Sequence, residues 1–355
     1  MRVKFRLSMW ASTFGGVISL LCLMAFSLPA MAQTSFFQGK SIRMIVGSSA
    51  GGAQDLWARF MAQHYGRHIP GNPEIIVQNM PGAGTMISAN HVYNIARPDG
   101  LTLAMFMPSL YIEQLTGQKE VKFEWSKFTW IGSPEPISQV LFSRQDTTYK
   151  TLNDMIKASE PVRCAATGRA TAGHFFPKLI EEAVGAKFNM VVGYGGGGDM
   201  DLALEKGEVH CRAGTVSAFV VREPTRTWYK NGFVRPLVQS GLTRDKRLAE
   251  VPTIYELMDT HKTPEATRRV AKVMLTSGDL GRPIAGGPGL PPDRLKLLRD
   301  AFMKMTTDEA FLADAKKRGL DVDPMKGEEL EAIAKEVIVQ PADVVQRVRS
   351  IITQK

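Results

Sequence analysis

Several clusters in the chain have the residue types and spacings that chemistry uses. Gly47-Ser48-Ser49-Ala50-Gly51 fits G-x-S-x-G, the turn that lifts a serine nucleophile to the top of a hydrolase sheet. The motif follows the first strand after the leader, whereas a hydrolase elbow comes after several strands. No HGGG-type oxyanion segment precedes it, and His261, downstream as chain order requires, carries no other mark of a triad base. A turn of small residues at a helix N-terminus is the plainer reading, with a secreted serine hydrolase acting through Ser49 as the alternative. Gly193-x-Gly195-x-x-Gly198 fits the dinucleotide fingerprint in its spacing and its strand-turn-helix setting. A glycine turn that admits a close backbone approach is the better reading, because the six-residue motif is weak alone and an exported chain seldom meets a reduced nicotinamide. Gly39-Lys40-Ser41 ends like a P-loop, but Thr34 stands where the upstream glycine belongs. His64 and His68 share a helix face without the glutamate of H-E-x-x-H and read as a solvated helix end. No cofactor and no metal site is expected, and no catalysis.

What the small-residue loops share is position. Each joins the carboxyl end of a strand to a helix N-terminus, where unpaired N–H groups and the helix dipole favour an anion. A charge held there gains about 0.3–1 kcal/mol when exposed and up to ~2 when partly buried. Each hydrogen bond to it adds roughly 1.5–3 kcal/mol. Two such loops facing each other would grip both ends of a small dicarboxylate without any reactive group. The first loop brings Ser48, Ser49, Ala50, Gly51 and Gly52. The second brings Thr167, Thr171 and the Arg169 guanidinium, suited to bidentate carboxylate capture, although a solvated loop charge is nearly as good a reading of it. His174 reads first as a packing residue. His174 and Tyr194 complete the candidate ligand set.

The elements that must hold these loops alternate. Ser41–Val46, Glu74–Gln78 and Leu101–Phe106 are apolar, β-branched runs that predict buried strands, with helical spacing at Leu56, Trp57, Phe60 and Met61 and a helix reaching about Ile95. The scheme repeats with strands at Val162–Ala166, Phe188–Val192, His210–Ala213 and Val234–Gln239. Helices are predicted through Phe175–Val184 and from an Asp199 N-cap to Gly207. The last third reads as helices over Pro292–Met305, Glu309–Lys317 and Glu328–Ile338. The alternation predicts two α/β units with parallel sheets and a helical tail.

Composition narrows the function classes. The 355 residues are 44% hydrophobic and 22% charged, an ordinary globular balance. Arg2, Lys4 and Arg6, the uncharged run Leu7–Leu28 and Ala30-Met31-Ala32 predict a signal peptide over residues 1–32, cleaved before Gln33. Without those three basic residues, 41 Lys and Arg stand against 35 Asp and Glu, scattered along the chain. Nucleic acid therefore loses its support as a partner, and a soluble periplasmic monomer is expected. Cys164 and Cys211 remain as an even pair in an oxidising compartment, which predicts one disulfide worth about 4 kcal/mol.

The order of segments resembles a known family, the extracytoplasmic solute-binding proteins of tripartite tricarboxylate transporters, called Bug proteins. Their opening P-F-x-x-G-G-x-x-D loop corresponds to Gly47-Ser48-Ser49-Ala50-Gly51-Gly52-Ala53-Gln54-Asp55 after Ile45-Val46. N-x-P-G-A-G stands as Asn79-Met80-Pro81-Gly82-Ala83-Gly84, and P-D-G-x-T-L as Pro98-Asp99-Gly100-Leu101-Thr102-Leu103. G-x-G-S/T-x-x-H appears as Gly168-Arg169-Ala170-Thr171-Ala172-Gly173-His174, Y-x-G-G as Tyr194-Gly195-Gly196-Gly197, and v-P-T-x-x-E as Val251-Pro252-Thr253-Ile254-Tyr255-Glu256. Three departures stand out: the small Ser48-Ser49-Ala50, Ala170 in place of a glycine, and His210 in place of a common aspartate. The resemblance implies a periplasmic-binding-protein type II α/β fold of two lobes with a hinge and a ligand cleft. It divides the chain into residues 33–137 with 244–355 as lobe one and 138–243 as lobe two. It implies a receptor that captures a small organic anion, a carboxylate, and delivers it to membrane transporter subunits, or serves as the ligand-loaded partner of a sensor. In that setting Asp55 reads as a brace of its loop rather than a ligand contact.

Overall fold

Apolar runs four to six residues long and bounded by glycine turns cannot make helices of useful length, and here they pair edge to edge. The computed structural model describes residues 36–48, 50–169 and 171–353. The expected signal peptide and its cleavage point, together with Ser49 and Ala170, lie outside the described residues. The first run is β1 (Ser41–Val46), α1 (Ala53–Tyr65), β2 (Glu74–Asn79), α2 (Met86–Asn94), β3 (Thr102–Met105) and α3 (Leu110–Leu115). After β4 (Thr129–Ser133) and β5 (Gln139–Arg144) come α4 (Leu152–Lys157), β6 (Val162–Ala166), α5 (Ala172–Val184), β7 (Phe188–Val192) and α6 (Gly197–Lys206). Then follow β8 (Cys211–Thr215), α7 (Val216–Val221), α8 (Thr225–Lys230) and β9 (Val234–Gln239). The last part holds α9 (Ile254–Thr260), α10 (Glu265–Leu280), β10 (Ile284–Gly286), α11 (Pro292–Thr307), α12 (Glu309–Lys317), β11 (Met325–Lys326), α13 (Gly327–Val337) and α14 (Ala342–Thr353).

The strands form two sheets, one ordered β11-β4-β10-β3-β1-β2 and the other β7-β6-β8-β5-β9. Parallel pairing holds where a helix carries the chain back: β1 lies between β2 and β3, and β6 between β7 and β8. Each sheet is nevertheless mixed rather than wholly parallel. β5 follows β4 with no crossover helix and runs antiparallel to both β8 and β9, while β10 is antiparallel to β3 and β4. The helix after the glycine turn begins at Gly197 with Gly196 as its cap, so Asp199 sits in the first turn instead of capping it.

Packing follows burial. Phe106, Trp125, Phe128 and Trp130 form an aromatic group beneath the first sheet, with Trp125 and Trp130 centroids 4.7 Å apart and Phe106 and Phe128 4.9 Å apart. Each such pair adds about 0.5–1.5 kcal/mol beyond its area. α5 is the most enclosed helix near the second sheet. His174, Phe175, Phe176, Leu179, Ile180 and Ala183 are buried along it, and α9, α10 and α14 pack against it. The Thr263 hydroxyl donates to the Ala183 carbonyl at 2.7 Å, and Arg347 pairs with Glu182. The tail therefore divides: α11 and α13 pack on β4 of the first sheet, while α10 and α14 reach α5.

The register of β6 and β8 sets Cys164 opposite Cys211. Both are buried free thiols, which corrects the expected disulfide. The pairing brings the two thiols near each other without joining them, each buried in the core beneath the sheet. Burial pushes the Cys211 thiol well above its ordinary range, and its Sγ lies 3.7 Å from the Arg163 carbonyl.

Two outcomes follow from this packing. Denaturing the protein without reductant should expose alkylatable thiols at both Cys164 and Cys211, with both protected in the fold; a joined peptide pair in the mass spectrum would contradict it. His174 is the second case. Burial first, then the Lys178 and Arg169 charges, pull its imidazole down to about 4. The unfolded chain, with an ordinary histidine near 6.5, then binds a proton that the fold refuses. The stabilisation is complete above pH ~6.5 and is lost as pH falls through about 4. Melting curves across that window should show the decline, and His174→Gln should flatten that part of the profile.

Candidate functional site

The loop between β1 and α1 is shaped by what braces it. A Cβ on Gly47 would overlap the Thr85 and Ser88 side chains, so glycine lets the end of β1 lie directly against the start of α2. Asp55, buried in the first turn of α1, accepts from the Gly51 N–H at 2.8 Å, from Arg59 Nε at 2.9 Å and from Asn79 Nδ2 at 2.8 Å. Asn79 Nδ2 also donates to the Ser48 carbonyl at 2.9 Å. Burial alone would raise the Asp55 carboxyl, but the Arg59, Gly51 and Asn79 bonds outweigh it and hold the group below the usual carboxylate range. Asp55 is thus fully engaged inside its own loop.

A cavity of about 180 Å³ opens beside this loop, where the carboxyl ends of strands from both sheets meet. Open α/β sheets bind ligands at such ends. Ser48 and Gln54 line it from the first sheet, with Met107, Pro108 and Ser109 from the loop after β3. Ala172 and Phe175 from the start of α5 and Thr215 from the end of β8 face them. Ile137, Gln139 and Ser240 close it where the chain passes between sheets, and Leu275, Ser277 and Arg282 complete the wall.

The polar groups on this wall fall into two kinds. Most are satisfied. The Ser240 hydroxyl accepts from the Gln139 N–H at 2.8 Å, Ser277 donates to the Met274 carbonyl at 3.0 Å, and Thr215 accepts from the Ala218 N–H at 3.2 Å. Arg282 Nε donates to Glu135 Oε1 at 2.6 Å, with Arg282 3% and Glu135 5% exposed. Burial pushes the Glu135 carboxyl up while the Arg282 charge pulls it down. Three buried atoms are different: Ser48 Oγ and both Oε1 and Nε2 of Gln54 make no hydrogen bond among the described residues. Buried polar atoms are normally paired, so unpaired ones at a cavity mark where a guest supplies the partner. No side chain caps the N-terminus of either α1 or α5, each a thirteen-residue helix, and first-turn residues of both, Ala53 and Gln54 of one and Ala172 of the other, line the cavity.

The sequence-derived set divides against this geometry. Ser48 lines the cavity. Gly52 is the cap residue of α1, and Ala50 and Gly51 are exposed on the outer turn of that loop. Ser49 lies outside the described residues. Thr167 and Thr171 tie the second loop to itself, Thr171 Oγ1 donating to the Gly168 carbonyl at 2.6 Å, and Arg169 is exposed. His174 is buried in the core of α5. Tyr194 packs on the apolar cluster of Ala165, Val209 and Phe219 on the other side of the second sheet. Gln54, Ser109, Thr215 and Arg282 were not legible as site residues. Gln54 occupies an unspecified place in the G-G-x-x-D motif, and Arg282 is joined to Glu135 only by the fold. Elsewhere, His64 is buried rather than solvated and faces Asp314 of α12 at 3.2 Å, while His68, in the turn after α1, lies 3.7 Å from Asp308, the cap residue of α12. His261 is exposed at the end of α9.

Comparison with known proteins agrees with this architecture. Residues 58–351 match the model of the Tripartite tricarboxylate transporter family receptor. A Cupriavidus necator protein described as "UPF0065 protein in gbd 5'region" is 28% identical over 238 residues, which cover 65% of this chain and 68% of that protein. Among solved structures, an R. palustris protein with adipate is 18% identical with a TM-score of 0.66, covering 87% of this chain and 97% of its own. MatC from Rhodopseudomonas palustris with bound malate is 18% identical with a TM-score of 0.64, covering 89% of this chain and 100% of its own. These two share the fold. With the family match running along most of its length and the two-sheet architecture repeated in those structures, this chain belongs to the tripartite tricarboxylate transporter receptor family of solute-binding proteins.

Proposed function

We propose that the protein is a periplasmic receptor that encloses a small carboxylate in the cavity between its two sheets and presents it to membrane transporter subunits, as a monomer and without chemical change. The observation that carries this reading is the unpaired Ser48 hydroxyl and Gln54 carboxamide buried beside two uncapped helix N-termini. Amide dipoles hold a carboxylate without reacting with it. Adipate and malate in the two similar structures agree in chemical class.

In this reading each sheet is the centre of a lobe, divided near residues 138 and 243. The passages at 134–138 and 240–243 would form the hinge, and closure would seal the guest in. The passages are held side by side: the Ser240 N–H donates to the Gln139 carbonyl at 2.9 Å, and the Ile137 N–H to the Gly278 carbonyl at 2.8 Å. Lobe one would also carry the tail from 244, although α9, α10 and α14 lean on α5, so motion would be a turn about that shared helix rather than a parting of the sheets. Thr167, Arg169 and Thr171 would meet the guest only by such a turn, and the cavity residues carry the affinity.

Screening small acids by thermal shift and titrating the hits by calorimetry tests the reading. Binding to the native state raises the melting temperature. Ser48→Ala should weaken the best acid about tenfold, the value of one hydrogen bond to a charged group, whereas Arg169→Ala should change it less than about twofold. Failure of every acid to bind, or an indifferent Ser48→Ala, would remove the proposal. A fluorophosphonate probe should leave Ser49 unlabelled; stoichiometric labelling would favour a hydrolase.

A further inference from the structure

The walls of the cavity constrain what the guest carries at each end. This step rests on the receptor reading above. Arg282 is the one charged side chain among the described residues that line the cavity, and its guanidinium is already paired with the buried Glu135 at 2.6 Å. The pair is neutral as a unit. A dicarboxylate brings two charges into this space, and a buried charge without a counter-charge is costly. Helix dipoles supply about half a charge each, enough for one carboxylate and not for two or three.

The two helix ends are also unlike. At α5 the first turn holds no acidic residue. At α1 the first turn contains the Asp55 carboxylate, and beside it sits the unpaired Gln54 carboxamide, which is 5% exposed. The negative end of a guest is therefore better placed at α5, where no carboxylate stands in the first turn. A carboxamide has both a donor and an acceptor to satisfy, and a carboxylate can only accept. The group that completes Gln54 offers both: another carboxamide, or a hydroxyl. Between the ends the walls are Met107, Pro108, Ile137, Phe175 and Leu275, which suit an apolar body.

We propose that the preferred guest is a monocarboxylate with an apolar body and a neutral donor–acceptor group at its far end, a carboxamide or hydroxyl, read by Gln54, rather than a di- or tricarboxylate.

Calorimetry on the full-length exported protein tests this with matched sets on three bodies: succinate, adipate and terephthalate, each with its monoamide and its diamide, and citrate beside them. The expected result is that on the best-fitting body the monoamide binds about tenfold more tightly than the diacid, a difference of about 1.4 kcal/mol. Gln54→Leu should bring that ratio to near one, and Gln54→Lys should reverse it in favour of the diacid. Melting temperature and a competing ligand on the same samples show that each variant is folded. A diacid or citrate that binds more tightly than every monoamide overturns this inference and leaves the receptor reading intact. A diamide that binds best, or no binding by any acid, overturns both. A ratio unmoved by Gln54→Leu removes Gln54 from the reading.

Discussion

The buried ion pair of Arg282 with Glu135 is the constraint on which the meeting of the two sheets depends. Glu135 sits in the passage from β4 to β5, and Arg282 sits between α10 and β10. Their contact ties a segment leaving the first sheet to one returning to it. The Arg282 N–H also donates to Ser133 Oγ at 2.9 Å, whose hydroxyl in turn donates to the Glu135 carbonyl at 3.2 Å. Gly281, at φ +66°, has no room for a side chain because the Glu135 carbonyl fills that space. Breaking a buried pair by removing one partner costs about 3–5 kcal/mol, since the other charge is stranded. The same pair also keeps the cavity wall electrically balanced, so architecture and ligand chemistry rest on one contact.

Much of the frame was readable before the fold was known. β1, β6, β7 and β9 stand where apolar runs with β-branched residues predict them; β1, β6 and β9 are buried over most of their length and read as near-continuous runs, while β7 is an edge strand with Phe188 alone buried. The brace of the first loop was readable too. Asn79 and Asp55 belong to separate motifs along the chain, and the structure shows the amide of one holding the carboxylate of the other. What escaped reading had physical reasons. Thr129–Ser133 and Gln139–Arg144 mix polar and apolar residues because they run antiparallel near the passage between sheets. Pairing alone makes β10 and β11 strands, at three and two residues. α10 carries its apolar stripe among seven buried positions interrupted by Arg, Lys and Thr, and α14 was not anticipated at all.

The site was less legible than the frame. Spacing placed a turn of small residues between β1 and the helix that begins after Gly52, and Ser48 on that turn lines the cavity. Arg169 is exposed on its loop and does not line the cavity, and a guanidinium's place along the chain gives no sign of which way its loop runs. Arg282 has the opposite history: nothing in its neighbourhood along the chain marks it, and 147 residues separate it from the carboxylate that defines its role. Long-range pairing of this kind leaves no local trace.

The unjoined thiols of β6 and β8 have a consequence for how the protein meets a reductant. No covalent cross-link closes the second sheet among the described residues; the β6–β8 ladder and the buried core around it hold the two thiols in place. The fold of those residues therefore holds no sulfur–sulfur bond that a reductant would break, and reducing conditions are expected to leave the second sheet's core as it is.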